Sequence, residues 1–400
     1  MKRHHQLYVL LILSIIFIPA AYVFVAAVFV VQMHKREYAT LKSIKNNVLL
    51  SIIFLYIVIG VVFSKHILIS SLYGLMMFLC LYSIGMVNVN MNHTNLQSIK
   101  KIIYIVSVIV FIIGIIQYIN PQFAMPKKWV DGEVFQLKKR IYSTFFNPNV
   151  FGFYINIILI IICGTINFNG NDKLEMIVFL LGIICLFLTF SRTAWLSLIV
   201  TLIISGILFN KKYFKYALII ALVIISLDKI LSIGRSDPSK VLGDSSMLYR
   251  FEIWKACFKI IKDNIITGIG FGTLSKYITE YSDVVKSNIE HCHNIYIQVL
   301  SETGIIGTSG VLYVSYNLIS KLWFNIRKKE NQISVTSFVI IIMVLIHGTV
   351  DSVFLTPQIM MILSIYIGIV LNEYKERLVT VPKENKFYLN YLDSNEREAG

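Results

Sequence analysis

Charge is what this chain has least of. Of its 400 residues only 15% are Asp, Glu, Lys or Arg, with 22 acidic, while 56% are hydrophobic. Soluble globular domains carry about 25% charged residues, so a water-soluble fold is excluded and a polytopic membrane protein is implied. Cysteine is scarce as well: Cys80, Cys163 and Cys185 lie inside apolar runs and read as small buried hydrophobes. Cys257 and Cys292 share a polar loop and read as unlinked thiols. There is no internal repeat and no low-complexity segment. His291-Cys292-His293 lacks a partner Cys, Asp or Glu at ligand spacing, so no metal centre is expected. Gly268-Ile269-Gly270-Phe271-Gly272 has no preceding strand and is no dinucleotide fingerprint.

The net charge of +15 would suggest nucleic acid in a soluble domain. Here most Lys and Arg sit in short linkers between apolar runs, as cytoplasmic retention requires, so no nucleic-acid partner is expected. A bilayer core takes about 20 apolar residues per helix. Runs of that kind occur near 48–64, 67–91, 102–119, 150–168, 175–190, 193–209, 216–233, 294–323, 335–353 and 355–371. The stretch 6–33, with Pro19 near its centre, reads as one kinked span or a tight hairpin of two. Lys35, Arg36, Lys42 and Lys45, then Lys100 and Lys101, Lys211, Lys212 and Lys215, and Arg327 to Lys329 fall in alternate loops. The inside bias of basic residues makes all of these cytoplasmic. That register requires two passes within 6–33 and about twelve transmembrane helices, with residues 1–372 as one membrane domain. It places the loops 120–149 and 234–292 outside, and a polar tail at 373–400 in the cytoplasm.

The two outer loops hold enough polar sequence to build a site. The first carries Lys127 and Lys128, and ends in Lys138-Lys139-Arg140 just before Asn147-Pro148-Asn149. A basic cluster on the outer face runs against the inside bias and reads as an anion-binding rim. In the second loop, Met247 to Lys262 forms an amphipathic helix. Met247, Phe251, Ile253, Trp254, Cys257, Phe258, Ile260 and Ile261 share its apolar face, opposite Glu252, Lys255, Lys259 and Lys262. Arg250 falls within the apolar face, where a guanidinium needs an anion or must snorkel. Arg192, in Ser191-Arg192-Thr193-Ala194-Trp195, lies at an outer junction between two spans.

His293-Asn294 opens the next span and is followed, nine residues later, by Gly304-Ile305-Ile306-Gly307. The two glycines would admit a neighbouring helix and fix the histidine in place. Glu302, deeper on the same helix, needs a partner such as Gln298. His347 and Asp351, four apart, are expected on one helical face, hydrogen-bonded to each other or lining the cavity.

The ordered set Asn147-Pro148-Asn149, Ser191 to Trp195, Arg250 with Trp254, the 268–272 glycines and His293-Asn294 with its trailing glycines resembles the bacterial O-antigen ligase and polymerase family. The motifs cover roughly 130–320, and the topology nearly the whole chain. The resemblance implies an all-α, GT-C-like integral-membrane glycosyltransferase of the bacterial cytoplasmic membrane, with its active site outside. Such an enzyme moves a glycan from an undecaprenyl-pyrophosphate carrier to an acceptor hydroxyl without metal, cofactor or nucleotide sugar. It further implies that His293, Arg192 and Arg250 are catalytic. Arg140, Lys139, Asn147 and Asn149 are expected to bind pyrophosphate or glycan, and Asn294, His291, Glu302, Gly304, Gly307, His347 and Asp351 to support them. Asn294 or Glu302 is expected to orient the imidazole.

Polymerisation of a surface polysaccharide is the favoured reading. Ligation to lipid A core or another acceptor is the alternative, and membrane lipids, a flippase and a chain-length regulator are the further partners. A lipid-linked oligosaccharide transporter would instead show repeat symmetry and midplane charges in both halves. The decisive charges here cluster on one side, apart from Asp228-Lys229, Glu302 and the His347–Asp351 pair.

Overall fold

The computed structural model describes residues 3–91, 96–123, 140–165, 173–231, 245–286, 289–328 and 332–380. Among them every long regular element is an α-helix. In chain order these are α1 (Arg3–Ile16), α2 (Ile18–His34), α3 (Ala39–Lys45), α4 (Val48–Val62), α5 (Ile67–Asn90), α6 (Leu96–Ile119), α7 (Pro148–Thr165) and α8 (Lys173–Leu188). There follow α9 (Arg192–Leu208), α10 (Lys212–Ile230), α11 (Ser245–Asp263), α12 (Leu274–Tyr281), α13 (Ile295–Lys328), α14 (Gln332–Gly348) and α15 (Pro357–Thr380). Lys139 and most of the basic rim before it lie outside the described residues, as does the tail from residue 381 onward.

The stretch 6–33 is two helices. The break falls at Phe17, just before Pro19 enters the first turn of α2, where a missing backbone N–H costs nothing. Helices Ile67–Asn90 and Gln97–Ile119 are long and apolar enough to cross a bilayer. Shorter apolar helices, including Val48–Val62, Pro148–Gly164, Arg192–Leu208 and Gln332–Gly348, stand beside them. Fifteen residues rise only about 22 Å against roughly 30 Å of hydrocarbon. The helices support an integral membrane protein, whereas the expected count of twelve spans goes beyond them. Outward-facing Leu68, Ile119, Ile207 and Ile230 are more than 70% exposed, as side chains facing lipid would be.

A large core joins α1 to α10, α14 and α15. Its centre is aromatic: Phe145 stacks on both Phe151 and Tyr154. A second, smaller core lies between α11, α12 and the start of α13, and includes Ile253, Cys257, Ile260, Leu274, Ile278 and Cys292. Phe251 and Phe258 are not part of it, being 45% and 58% exposed. The single apolar face expected for α11 is therefore two: Ile253, Ala256, Cys257 and Ile260 turn inward, while Leu248, Phe251 and Phe258 turn outward. The inward stripe follows the spacing of three or four residues that one helix presents to one neighbour.

Gly304 also departs from its expected role. It has φ +59 and ψ −162 and breaks α13, and a Cβ there would stand 2.3 Å from the Ile266 carbonyl oxygen. What approaches is the segment 265–270 rather than a helix. Ile269 N–H donates to Ser301 O and Gly270 N–H to Glu302 O, while Ile305 N–H donates back to Ile265 O. A Cβ on Gly268, at φ +70, would lie 2.4 Å from the Glu302 backbone. The two glycine motifs are thus halves of one backbone junction, which ties the end of α11 to α13 below His293. Gly307 faces the Thr303 side chain of its own helix.

Candidate active site

Three helix starts share one local device. Asn147, Ser191 and Asn294 precede α7, α9 and α13, and each side-chain oxygen accepts a backbone N–H of the first turn: Asn149 N at 2.8 Å, Ala194 N at 3.4 Å and Tyr296 N at 3.0 Å. The residue before each cap is left-handed: Phe146 at φ +57, Phe190 at +48 and His293 at +51. None is glycine, so each costs about 1–3 kcal/mol, which offsets roughly what a cap contributes. Tertiary contacts must hold these corners, and such strain gathers at functional sites.

Asp351 is where the corners meet. Its Oδ1 lies 3.1 Å from His293 Nδ1, and its Oδ2 accepts Asn149 Nδ2–H at 2.9 Å. Arg250 Nη2 stands 3.7 Å from Oδ2, and Ser352 N–H donates to Oδ1 at 2.8 Å. Arg140 joins through Asn149 Oδ1 at 3.0 Å and donates Nε–H to the Thr189 carbonyl at 2.8 Å, just ahead of α9. Asn294 Nδ2–H donates to Thr349 O at 2.8 Å, clamping α13 to the turn that carries Asp351. Burial alone would raise the Asp351 carboxyl, but His293, Arg250 and His291 beside it hold it well below the usual carboxylate range.

Several expectations change here. His347 and Asp351 do not share a helical face, because α14 ends at Gly348 and Asp351 sits in the following turn. Fully buried His347 instead places Nδ1 at 3.0 Å from Ser197 Oγ and packs edge-on to Phe153. The imidazole of His293 is oriented by Asp351, not by Asn294 or Glu302. Asn294 spends its side chain on the cap and on Thr349. Glu302 accepts from Gln298 Nε2 at 2.6 Å and from Gly272 N at 2.9 Å, which bears out the expected Gln298 partner. The anion that Arg250 needs is supplied within the protein by Asp351. Arg192 opens α9 in its first turn.

His291, His293 and Asp351 present ligand atoms within 4.8 Å of one another. The missing carboxylate of the His-Cys-His motif is therefore supplied from a distant part of the chain. A zinc ion would require about 2.0–2.2 Å from each donor. Here the carboxylate is already engaged by His293, Asn149 and Ser352, and it faces the guanidinium of Arg250, which repels a second cation. Burial pushes His291 down to about 4, and the neighbouring His293 adds to the effect.

This arrangement is an imidazole set on a carboxylate, with arginine donors at its edge and three helix N-termini opening nearby. Such N-termini favour an anion. Residues 177–312 match the family model for O-antigen ligase. No curated protein matches the chain. The matched region holds Arg192, Arg250, His293, Glu302, Gly304 and Gly307, and the match bears out the family resemblance of the sequence motifs. It supports a membrane enzyme of the polysaccharide ligase or polymerase type. Asn149, Arg140 and Asp351 fall outside the O-antigen ligase match, and the fold brings them to it. The sequence named Asp351 as a supporting group, bonded to His347 or lining the cavity, and the fold sets its carboxylate against His293 instead.

Proposed function

We propose that this protein is a bacterial surface polysaccharide polymerase. It transfers a glycan from an undecaprenyl-pyrophosphate carrier to a sugar hydroxyl of another lipid-linked repeat unit on the outer face of the cytoplasmic membrane. In this reading residues 1–372 form the membrane domain and 373–400 a cytoplasmic tail. The observation that carries it is the contact of His293 Nδ1 with Asp351 Oδ1, beside Arg250.

A carboxylate at Nδ1 holds the proton there and leaves the Nε2 lone pair free, so Nε2 accepts the proton of the attacking hydroxyl. Asp351 then stabilises the imidazolium that forms. The leaving pyrophosphate gains charge as the glycosidic bond breaks. Arg250 offers a planar, permanently charged fork against it, and Arg192 and the three helix N-termini add further donors. Arg140, Asn147 and Asn149 are assigned to bind pyrophosphate or glycan, and Lys139 is assigned the same role from the sequence alone. Attack opposite the leaving group inverts the anomeric carbon. None of these steps calls for a metal.

Purified protein supplied with defined undecaprenyl-pyrophosphate oligosaccharide, with and without lipid A core, tests the reading. A ladder of longer carrier-linked glycans supports the polymerase. One transfer to the core supports the ligase, the activity for which the matched family model is named. His293→Ala is expected to abolish transfer while donor binding persists, and continued polymer synthesis by that variant would sink the assignment.

A further inference from the structure

Cys257 and Cys292 are 35 residues apart in the chain, yet their sulfurs lie 2.9 Å from each other and both residues are fully buried. Cys257 sits on the inward stripe of α11, two turns beyond Arg250. Cys292 directly precedes His293. A second contact holds the same juxtaposition: Trp254 Nε1–H donates to the Cys292 carbonyl at 2.9 Å. Thiols are weak donors and weak acceptors, and the Cys292 sulfur also meets Ser301 Oγ at 3.7 Å. The remaining cysteines are placed differently. Cys80 meets the Tyr22 hydroxyl, Cys185 donates to the Phe111 carbonyl, and both lie in helices of the main core with Cys163.

We infer that Cys257 and Cys292 are a modification site, oxidised to a disulfide that ties the helix bearing Arg250 to the backbone of His293. The inference rests on the outer placement of the 234–292 loop proposed above, since disulfides persist in oxidising compartments. The oxidant is a disulfide-bearing thiol oxidoreductase acting outside the membrane before the loop closes. One cysteine thiolate attacks its disulfide to give a mixed disulfide, and the second thiolate displaces it. Two S–H bonds are lost and one S–S bond forms. The two electrons and two protons reduce the oxidant to a dithiol. The link closes the 257–292 loop, so that neither Arg250 nor His293 can leave the site alone.

The test is alkylation of the full chain, quenched in acid directly from cells and denatured without reductant. Cys80, Cys163 and Cys185 are expected to be labelled, with Cys257 and Cys292 recovered as one cross-linked peptide that takes label only after reduction. Label on both before reduction overturns the disulfide. A Thr279→Cys variant, at an exposed position of α12, reports the side of the membrane through an impermeant maleimide on intact cells. Thr279→Cys labelled on intact cells, with both native thiols free, overturns the disulfide alone. Thr279→Cys labelled only after lysis overturns the outer placement and the disulfide with it.

Discussion

His293 and Asp351 are 58 residues apart in the chain and 3.1 Å apart at Nδ1 and Oδ1. At that distance Nδ1 faces the carboxylate, and in the proposed reaction Nε2 is the nitrogen that takes the substrate proton. An imidazole 24% exposed beside a carboxylate 1% exposed can meet a substrate at one nitrogen while the other is held in the protein.

Asp351→Asn keeps the side-chain shape and removes the charge that holds the Nδ1 proton. Transfer is expected to slow about 10²–10⁴-fold, the range of a general base and of a lost orienting carboxylate, with donor affinity changed far less. Single-turnover transfer and equilibrium donor binding, measured on the same preparation, separate the two.

Arg250→Lys keeps a positive charge and loses the planar fork. A guanidinium carries five N–H donors, more than one contact of 3.7 Å to Asp351 consumes. Lysine is therefore expected to restore little, with transfer reduced roughly 10²-fold on the scale of one lost transition-state donor. A variant rate within a few-fold of wild type would show that charge alone is enough.

Gly304→Ala places a methyl carbon 2.3 Å from the Ile266 carbonyl at a positive φ. Such a residue costs about 1–3 kcal/mol from its dihedrals alone, and the clash adds to it. A lower unfolding midpoint is expected by thermal scan in detergent, together with weaker transfer, because the junction sits beneath His293. Gly307→Ala, facing a side chain of its own helix, is expected to be the milder of the two.

Acid should destabilise the folded protein through His291. Burial lowers its folded value to about 4 from an ordinary 6.5, so the unfolded chain binds the proton first as pH falls. Stability from this group is fully present above about pH 6.5 and is lost progressively toward pH 4. Asp351, held below its ordinary value, acts in the same direction at still lower pH. Unfolding midpoints of wild type and His291→Gln across pH 4–7 should converge at the acid end.

Chelation should leave transfer intact. Arg250 already faces the carboxylate that an ion would need, so incubation with EDTA followed by desalting is expected to preserve the full rate. Loss of activity restored by a divalent cation would return His291, His293 and Asp351 to the role of ligands.

The membrane class, the α-helical composition and the positions of most helices were legible in the sequence, because long apolar runs in a chain with few charges have one physical solution. The caps were legible in part. Asn147 was expected to contact ligand and Asn294 to orient the imidazole, whereas the side chains of Asn147, Ser191 and Asn294 each cap their own helix. The helix α11 was misjudged where period alone was used: Phe251 and Phe258 satisfy the apolar pattern yet face outward, since a helical wheel does not say which side has a neighbour. Asp351 was placed inside a span expected to run to residue 353, whereas the helix ends at Gly348. Extending α14 past Gly348 paired it with His347, and ending the helix there turned it toward His293.

Sequence by itself determined an apolar helical chain, the residue types able to move a proton or hold an anion, and the glycines that only tight backbone junctions require. Tertiary structure decided which of those groups meet. Charge pairing across 58 residues, the stitching of Gly268 and Gly304 into one junction, and the contact of two thiols beside the histidine are all long-range. Local propensity carries no information about them, because each exists only once separate helices have packed.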